Sequence, residues 1–336
     1  MFVLILILIL GMQVARADAQ STEALPFESS IPLPDVKGRI DHFSVDVDGQ
    51  RIFVAAVENG SVEIVDVKTR RRVHSIGNLP EPQGVLYERS SNRLFVACGG
   101  DGTVRIFDGT TFAAIASVKY PDDADNLRFD AHRKEAIVGY AGAKQLRKRE
   151  EGTGGLGFFD TNGKKTADVV VDAHPESFQV EPGGAHIFVN VPEKKEIEVV
   201  DVPQRKVVGR WPVEAENNFP MALDAAHHRL LVGCWAPPRL LAYDTENGKV
   251  AASSEIAGKT DDLYYDSARS RVYVLTSVGF IDVFAERDAD HYERIARYPT
   301  PPRSQTGIFV PEWSELFAAA PQQADHPAEI RIYRAH

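Results

Sequence analysis

DHFSVD at residues 41–46, RIFVA at 51–55 and VEIVD at 62–66 are three short segments in which apolar and polar residues alternate. Alternation with a period of two, in segments rich in Val, Ile and Phe, predicts β-strands with one face in a core. Polar residues and glycine separate the segments and predict tight turns. Together they predict three neighbouring strands of one antiparallel sheet, of which the third ends on Asp66.

The same pattern recurs along the rest of the chain, and most copies end on an aspartate. These residues stand 42, 52, 41 and 43 positions apart, at Asp66, Asp108, Asp160, Asp201 and Asp244. Units of about 40–45 residues with four short strands are typical of the blades of a β-propeller. The one longer interval predicts an insertion at residues 144–155, which begins with the charged segment KQLRKREE. We interpret that segment as a solvated loop, with a partner-contact loop as the alternative.

Seven copies predict one all-β domain over residues 20–336, a seven-bladed β-propeller of four-stranded antiparallel blades. Six copies have room for a fourth strand after the closing position, but the seventh ends at Tyr333. The segment 27–33 precedes the first copy and has no blade of its own. We therefore expect this N-terminal strand to pair into the last blade, because the pairing closes the ring and removes an exposed sheet edge.

A similar tetrapeptide opens the second strand of four copies. It reads FVAA at 53–56, FVAC at 95–98, FVNV at 188–191 and YVLT at 273–276. These resemble the tetrapeptide that names the YVTN-repeat β-propellers, the YncE-like group of the seven-bladed class. The resemblance covers essentially the whole chain after its first segment and implies a seven-bladed fold. It does not select an activity, because such propellers serve as scaffolds, ligand binders and enzymes.

The chain begins with the apolar run MFVLILILIL, followed by small residues at Ala15, Ala17 and Ala19. This arrangement predicts a signal peptide over residues 1–19 with an A-x-A cleavage site. The run is shorter than the roughly 20 apolar residues of a membrane span. An uncleaved N-terminal anchor stays open as the alternative, because no Lys or Arg precedes the run. We expect an exported protein, periplasmic or secreted, with no integral membrane segment after cleavage.

The composition narrows the classes of partner and cofactor. The 336 residues include 38 Lys and Arg against 48 Asp and Glu, a net charge of −10, so nucleic acid is not an expected partner. Cys98 and Cys234 fall in separate blades, too far apart for a disulfide, and we expect buried free thiols. The pair at 227–228 (HH) is assigned to a turn, and no zinc-ligand spacing is found. Three tryptophans are expected to pack between blades: Trp211, Trp235 and Trp313.

Aligning the seven copies places one residue of each blade at the entrance of the central channel. This first ring consists of Asp41, Gln83, Asp125, Glu176, Phe219, Asp261 and Gln305. The next ring consists of His42, Gly84, Asn126, Ser177, Pro220, Asp262 and Thr306. Oxygen-rich rings suit a divalent cation such as calcium, and the expected metal ligands are Asp41, Asp125, Glu176 and Asp261. The rings also suit a cationic or polyhydroxylated small ligand. A third interpretation is that these residues only cap turns and hydrate the channel.

These patterns predict an exported, non-enzymatic binding or scaffolding protein that acts through its channel mouth and the adjoining loops. Its partner would be an unidentified protein or small molecule, no cofactor is required, and we expect a monomer. The alternative is a metal-dependent hydrolase or lyase of the lactonase sort. There Asp125, Asn126, Glu176 and Asp261 would hold a cation, and His42 would move a proton. A third hypothesis is that the protein is a purely structural domain of a larger assembly.

Overall fold

The computed structural model describes residues 23–142 and 153–336. The predicted signal peptide at 1–19, and residues 144–152 of the predicted insertion, lie outside the described residues. Within them, 28 strands form seven four-stranded antiparallel sheets arranged as the blades of a propeller. The prediction of an all-β, seven-bladed propeller is confirmed.

Each of blades 1 to 6 takes four consecutive strands, so that its sheet order follows the chain. Blades 1 and 2 contain β2 (Ile40–Asp46), β3 (Arg51–Ala56), β4 (Ser61–Asp66), β5 (Arg71–Ile76), β6 (Pro82–Glu88), β7 (Arg93–Cys98), β8 (Thr103–Asp108) and β9 (Ala114–Lys119). Blades 3 and 4 contain β10 (Asp122–Asp130), β11 (Glu135–Ala141), β12 (Gly154–Asp160), β13 (Lys165–Val171), β14 (Ser177–Val180), β15 (His186–Val191), β16 (Glu196–Asp201) and β17 (Lys206–Pro212). Blades 5 and 6 contain β18 (Glu216–Asp224), β19 (Arg229–Ala236), β20 (Pro238–Asp244), β21 (Val250–Glu255), β22 (Thr260–Asp266), β23 (Arg271–Thr276), β24 (Phe280–Asp288) and β25 (His291–Pro299).

Blade 7 joins the two ends of the chain. It consists of β1 (Phe27–Leu33), β26 (Gly307–Val310), β27 (Glu315–Ala320) and β28 (Ala328–Arg334). The N-terminal β1 pairs antiparallel with the C-terminal β28, and Ile31 faces Ile330 in the register. Both isoleucines are buried in the core that blade 7 shares with blade 1. The predicted closure of the ring by the N-terminal strand is confirmed, and β1 covers the outer edge of β28.

The hydrophobic core lies between neighbouring blades. The four tetrapeptides resembling the YVTN motif begin with Phe53, Phe95, Phe188 and Tyr273, all of which are buried. Phe95, for example, packs edge-on against Phe159 of the next blade, with ring centroids 5.7 Å apart. Edge-to-face aromatic contacts of this kind stabilise beyond their buried area. Each blade therefore depends on its neighbours, and the outermost strands expose every second residue, as β17 does.

The two cysteines lie in the hydrophobic core. Cys98 and Cys234 are buried and free, as predicted, and burial raises the pKa of each thiol to about 12.

The described helices are two short 3-10 turns, Pro192–Lys194 and Pro311–Trp313. Neither of these turns is long or apolar enough to cross a membrane.

Candidate functional site

The innermost strand of each blade begins at one end of the central channel, and a cavity of about 330 Å³ opens there. We call it the mouth cavity. All seven residues of the predicted first ring line it: Asp41, Gln83, Asp125, Glu176, Phe219, Asp261 and Gln305. Of the predicted second ring, His42 also reaches the cavity. The alignment of the repeat therefore identified, in each blade, a residue that lines the mouth cavity.

Five further polar or aromatic side chains line the mouth cavity and were missed by the alignment. They are Arg39, Asp123, His174, Glu193 and Trp235. Arg39 and His174 precede innermost strands, Glu193 lies in the 3-10 turn and Trp235 in β19, and the alignment of innermost strands covers none of these positions. Asp123 is inside β10, but this strand has irregular register with β11 on both sides of Ala124. The irregularity, with a positive φ of 31° at Asp123, brings both Asp123 and Asp125 to the cavity.

The floor of the mouth cavity is a hydrogen-bonded group from the second ring. Nδ1 of His42 lies 3.3 Å from Oδ1 of Asp262, and Nε2 of His42 lies 3.2 Å from Nδ2 of Asn126. Burial alone would lower the pKa of His42. The charges of Asp262 and Asp41 outweigh that effect and raise the pKa to about 10. These carboxylates favour the imidazolium, whereas Nδ2 of Asn126 can only donate to Nε2 and so favours the neutral ring with its proton on Nδ1.

A second imidazole lies higher in the wall. Nδ1 of His174 is 3.5 Å from Oε1 of Glu176, and Nε2 is 3.8 Å from Oδ2 of Asp123. Burial opposes the charged form of His174, but the hydrogen bond and charge of Glu176, with Asp123, raise its pKa to about 10. His174 therefore adds a second imidazole to the mouth cavity, beside His42 of the predicted second ring.

Carboxyl groups outnumber the cations around the mouth, and burial penalises their ionised forms. Burial raises the pKa of Asp41 and, more strongly, of Asp125. It raises the pKa of Asp261 to about 7, with a further contribution from the charge of Asp41. Asp41 keeps an ion pair with Arg39 at 3.1 Å. Part of the ring therefore holds protons near neutral pH because it lacks enough positive charge.

Two buried polar atoms at the mouth have no hydrogen-bond partner. They are Oδ1 of Asp125 and Nε2 of His174, on residues that are only 7% and 8% exposed. Most buried polar groups in proteins are hydrogen-bonded, and an unpaired one costs about 1–3 kcal/mol. The two glutamines of the ring are used differently, since Gln83 bonds Asp123 at 2.7 Å and Gln305 bonds Asp261 at 2.9 Å. Asp125 and His174 are thus the groups left to meet a ligand.

One side of the mouth cavity is aromatic. Phe219 and Trp235 stack with their ring centroids 4.0 Å apart, and the indole N–H of Trp235 donates to the carbonyl of Thr260 at 2.7 Å. Nζ of Lys259 lies 5.0 Å from the centre of the Trp235 ring. Trp235 of blade 5 therefore contacts blade 6, as expected, and it also lines the cavity. Since Phe219 and Lys259 already lie against the indole ring, the aromatic pair offers a ligand an apolar wall.

The predicted metal ligands do not form a ready-made ion site. Among the described residues, two groups of three or more potential ligands bring their atoms within 4.8 Å of one another, and neither includes Asp41, Asp125, Glu176 or Asp261. Several of these carboxylates are held by other partners: Asp41 by Arg39, Glu176 by His174 and Asp261 by Gln305. A calcium ion with about 6–8 oxygen ligands would require these contacts to rearrange.

A second cavity, of about 360 Å³, lies further along the same innermost strands, beyond the floor. We call it the distal cavity. Its wall is formed mainly by apolar and neutral side chains, among them Met221, Leu223, Tyr264 and Tyr265, with Arg128 and Asp262 as its charged members. The hydroxyl of Tyr264 donates to the carbonyl of Gly307 at 2.7 Å. No residue lining the distal cavity, within the described ranges, has a buried side-chain atom left unpaired.

The fold and site together define a seven-bladed β-propeller with a charged channel mouth. No family model matches the chain, and no curated protein matches it. Among solved structures, the chain is similar to a chain of the hydrazine synthase of Kuenenia stuttgartiensis, with a TM-score of 0.72 and 16% sequence identity. The match covers 89% of this chain and 95% of that chain. At this level of identity the similarity shows the propeller fold alone.

Proposed function

We propose that this protein is an exported, non-enzymatic binding protein of the YVTN-repeat, YncE-like group, which holds a small organic cation in its mouth cavity. The observation that carries the proposal is Oδ1 of Asp125, which lies in the cavity wall, is buried, and has no hydrogen-bond partner. An ammonium group placed beside it would supply the missing donor and the missing charge. Export and a monomeric state rest on the sequence alone.

The charge balance of the mouth cavity supports a cation as the ligand. Six carboxyl groups line it, namely Asp41, Asp123, Asp125, Glu176, Glu193 and Asp261, against the three basic groups Arg39, His42 and His174. Burial raises the pKa values of Asp41, Asp125, Glu193 and Asp261, so protons compete with a bound cation for these carboxyl groups. A bound cation would replace those protons, so its binding should release protons and strengthen as pH rises.

The shape of the mouth cavity supports an organic cation over a bare ion. A volume of about 330 Å³ falls at the small end of ligand pockets, which span about 300–1,000 Å³. The aromatic pair Phe219 and Trp235 provides an apolar face for alkyl groups, and the cavity also carries the carboxyl of Asp125. A diamine or an alkylammonium ion has both features. A neutral polyol would leave the charge excess in place.

The alternative function, a lactonase-like hydrolase with a cation at the mouth, makes a different demand. It needs Glu176 and Asp261 to leave their present partners, His174 and Gln305, and to converge with Asp125 and Asn126 on one divalent ion. Asn126 is already engaged, because its Nδ2 donates to the carbonyl of Glu176 and its Oδ1 accepts from Arg128. Calcium would then stabilise the protein more than any amine, and this outcome separates the two functions.

Thermal unfolding of the purified protein, with ligands added singly, tests the proposal. The panel contains 1,4-diaminobutane, tetramethylammonium, a neutral polyol and calcium. A ligand at about 100 times its dissociation constant stabilises by roughly 2.7 kcal/mol, which raises the midpoint by several degrees. We expect this shift with the amines and its loss in Asp125→Asn. The matched control Glu246→Gln removes one exposed carboxylate far from the mouth and should keep the shift. A shift with calcium alone would support the hydrolase; no shift with any of them would overturn both.

A further inference from the structure

A buried carboxylate at the end of the innermost strand recurs in several blades and is usually neutralised by an arginine. Asp46 pairs with Arg51 at 2.6 Å in blade 1. Asp130 pairs with Arg133 at 2.9 Å in blade 3, and Asp266 pairs with Arg269 at 3.1 Å in blade 6. Arginine keeps its charge at any pH of interest, so each of these carboxylates is permanently compensated.

Blade 5 breaks this rule. The equivalent carboxylate, Asp224, contacts Nδ1 of His227 at 2.7 Å instead of an arginine. The nearby Arg229 turns to Asp290 at 2.7 Å and to Asp244 at 3.3 Å. His227 lies in the turn that follows β18, and unlike an arginine it can lose its charge. Glu181, at the equivalent position of blade 4, also meets a histidine, His186, but it is partly exposed. Among the buried carboxylates at this position in the described residues, Asp224 is the one that pairs with a histidine, a group that is also a good metal ligand.

A second buried carboxylate converges on the same imidazole. Oε1 of Glu286, from β24 of blade 6, lies 3.0 Å from Nδ1 of His227. The side chains of Asp224 and Glu286 are each only 2% exposed. The single Nδ1–H serves Oδ2 of Asp224, and Oε1 of Glu286 is left with no hydrogen-bond partner. Two buried carboxylates and one imidazole leave an excess of negative charge and an unpaired oxygen that faces the group.

We propose that Asp224, His227 and Glu286 form a binding site for a divalent transition-metal ion of the zinc class, bridging blades 5 and 6. The three ligand atoms all lie within 4.8 Å of one another. The two carboxylates balance the charge of a divalent ion, and the imidazole adds a neutral ligand. These three ligands leave the fourth tetrahedral position to water. Neither the mouth cavity nor the proposed binding of an organic cation uses these residues.

The geometry needs one small adjustment, and the exposed member of the group can supply it. Ligand atoms at zinc-like bond lengths in a tetrahedron lie about 3.3 Å apart. Nδ1 of His227 is now 2.7 Å and 3.0 Å from its two carboxylates, as a hydrogen-bonding N–H requires. The side chain of His227 is 47% exposed, so it can move outward by a few tenths of an ångström. The hydroxyl of Tyr265 donates to Oε2 of Glu286 and orients this ligand from behind.

The other convergent acidic group of the chain shows why charge balance matters. Asp172, Glu196 and Glu198 also bring ligand atoms within 4.8 Å. However, Nε of Arg210 lies 2.8 Å from Asp172, 3.8 Å from Glu198 and 3.9 Å from Glu196. A guanidinium already supplies the positive charge there, and an added metal ion would have to displace it. This group therefore serves as an internal control.

The test is binding of cobalt and zinc to protein stripped with a chelator. We expect one equivalent of Co²⁺ to give visible absorption bands of a nitrogen- and oxygen-ligated ion, zinc to displace them, and zinc to raise the thermal midpoint. His227→Gln should abolish the bands, and this exposed position can be changed without loss of folding. Tyr265→Phe should weaken zinc binding about tenfold.

Two matched variants make the outcome decisive. His228→Gln changes the neighbouring exposed histidine, and Glu196→Gln changes the control acidic group; both should bind Co²⁺ as the unaltered protein does. Absence of cobalt bands at one equivalent would overturn the proposal. So would bands that persist in His227→Gln, and so would loss of the bands in Glu176→Gln, which would place the ion at the mouth. Amine binding in the same variants is read separately, so failure here leaves the mouth proposal standing.

Discussion

The two cavities of the central channel are similar in size and are built on the same innermost strands, yet they differ in chemistry. The mouth cavity has six carboxyl groups in its wall, whereas the distal cavity has one, Asp262. In the distal cavity that carboxylate is satisfied, because it contacts His42 and accepts the backbone N–H of Gly307 at 2.9 Å. At the mouth, Asp125 and His174 each keep an unpaired buried atom.

This difference indicates which of the two cavities is suited to bind a ligand. Cavity volume does not distinguish the ends, at about 330 and 360 Å³. Polar groups that are buried and left unpaired do distinguish them, since a ligand that pairs with these groups recovers their cost. Replacements at the mouth should therefore change ligand binding, whereas replacements in the distal cavity should change stability alone.

The largest expected effect is on the free energy of unfolding and arises at the floor that separates the cavities. His42→Ala removes the imidazolium between Asp41 and Asp262, both buried or nearly so. Removal of one partner from a buried ion pair costs about 3–5 kcal/mol. Tyr264→Phe, in the distal cavity, should cost about 1 kcal/mol by losing one hydrogen bond. Urea unfolding of both variants, with exposed His132→Ala as the control, measures the contrast; equal losses in the two variants would refute it.

The next effect is on ligand affinity and separates the two cavities directly. Asp125→Asn should weaken 1,4-diaminobutane at least about tenfold, equivalent to about 1.4 kcal/mol, because it removes the unpaired carboxylate oxygen of the mouth cavity. Tyr264→Phe should leave the affinity unchanged, because its hydroxyl faces Gly307 and not the mouth. Isothermal titration calorimetry measures both. An affinity lost in the distal variant but kept in the mouth variant would reverse the comparison.

A third effect appears in the pH dependence of stability. The pKa of Asp261 is raised to about 7, so the folded protein keeps a proton that the unfolded chain releases near pH 4. The stability from that proton is fully present below about pH 4 and is lost as the pH rises from there through about 7. Asp261→Asn should therefore come nearest to the unaltered protein below pH 4 and exceed it in thermal midpoint increasingly toward pH 8. The opposite order at pH 8 would show that this carboxyl is stabilised in its ionised form.

The smallest effect concerns the aromatic wall of the mouth. Trp235→Leu should weaken tetramethylammonium by only a few-fold, because Phe219 and Lys259 already lie against the indole ring and the ligand meets it as an apolar wall. The same variant should alter 1,4-diaminobutane less, since its ammonium groups are drawn to carboxylates. Competition titration of the two ligands against each variant gives the ratio of affinities. A larger loss for the diamine than for tetramethylammonium would remove Trp235 from the binding surface.

The architecture and one ring of the site could be read from the sequence because both depend on the repeat. The spacing of the closing aspartates gave the blades, and the missing fourth strand of the last copy identified segment 27–33 as its partner. The same register located Asp41, Asp125 and Asp261 around the mouth. Periodicity transfers from copy to copy, so any residue on a regular strand can be placed in this way.

The remainder of the site depends on departures from the repeat. His174 lies in the loop before β14, and Glu193 lies in the 3-10 turn Pro192–Lys194, where no periodic pattern applies. Asp123 reaches the mouth through the irregular register of β10. The group of Asp224, His227 and Glu286 joins two blades. Asp224 and His227 are three residues apart, but Glu286 follows in the next blade, so no short ligand spacing reveals the group. Local backbone geometry and contacts between blades decide these positions.

A crystal structure of the protein with 1,4-diaminobutane tests the central claim most directly. We predict one diamine in the mouth cavity, with an ammonium nitrogen within hydrogen-bond distance of Oδ1 of Asp125 and its alkyl chain against Trp235. The floor formed by His42, Asn126 and Asp262 should remain closed beneath it. A diamine bound in the distal cavity, or a mouth that stays free of ligand under saturating conditions, would contradict the claim.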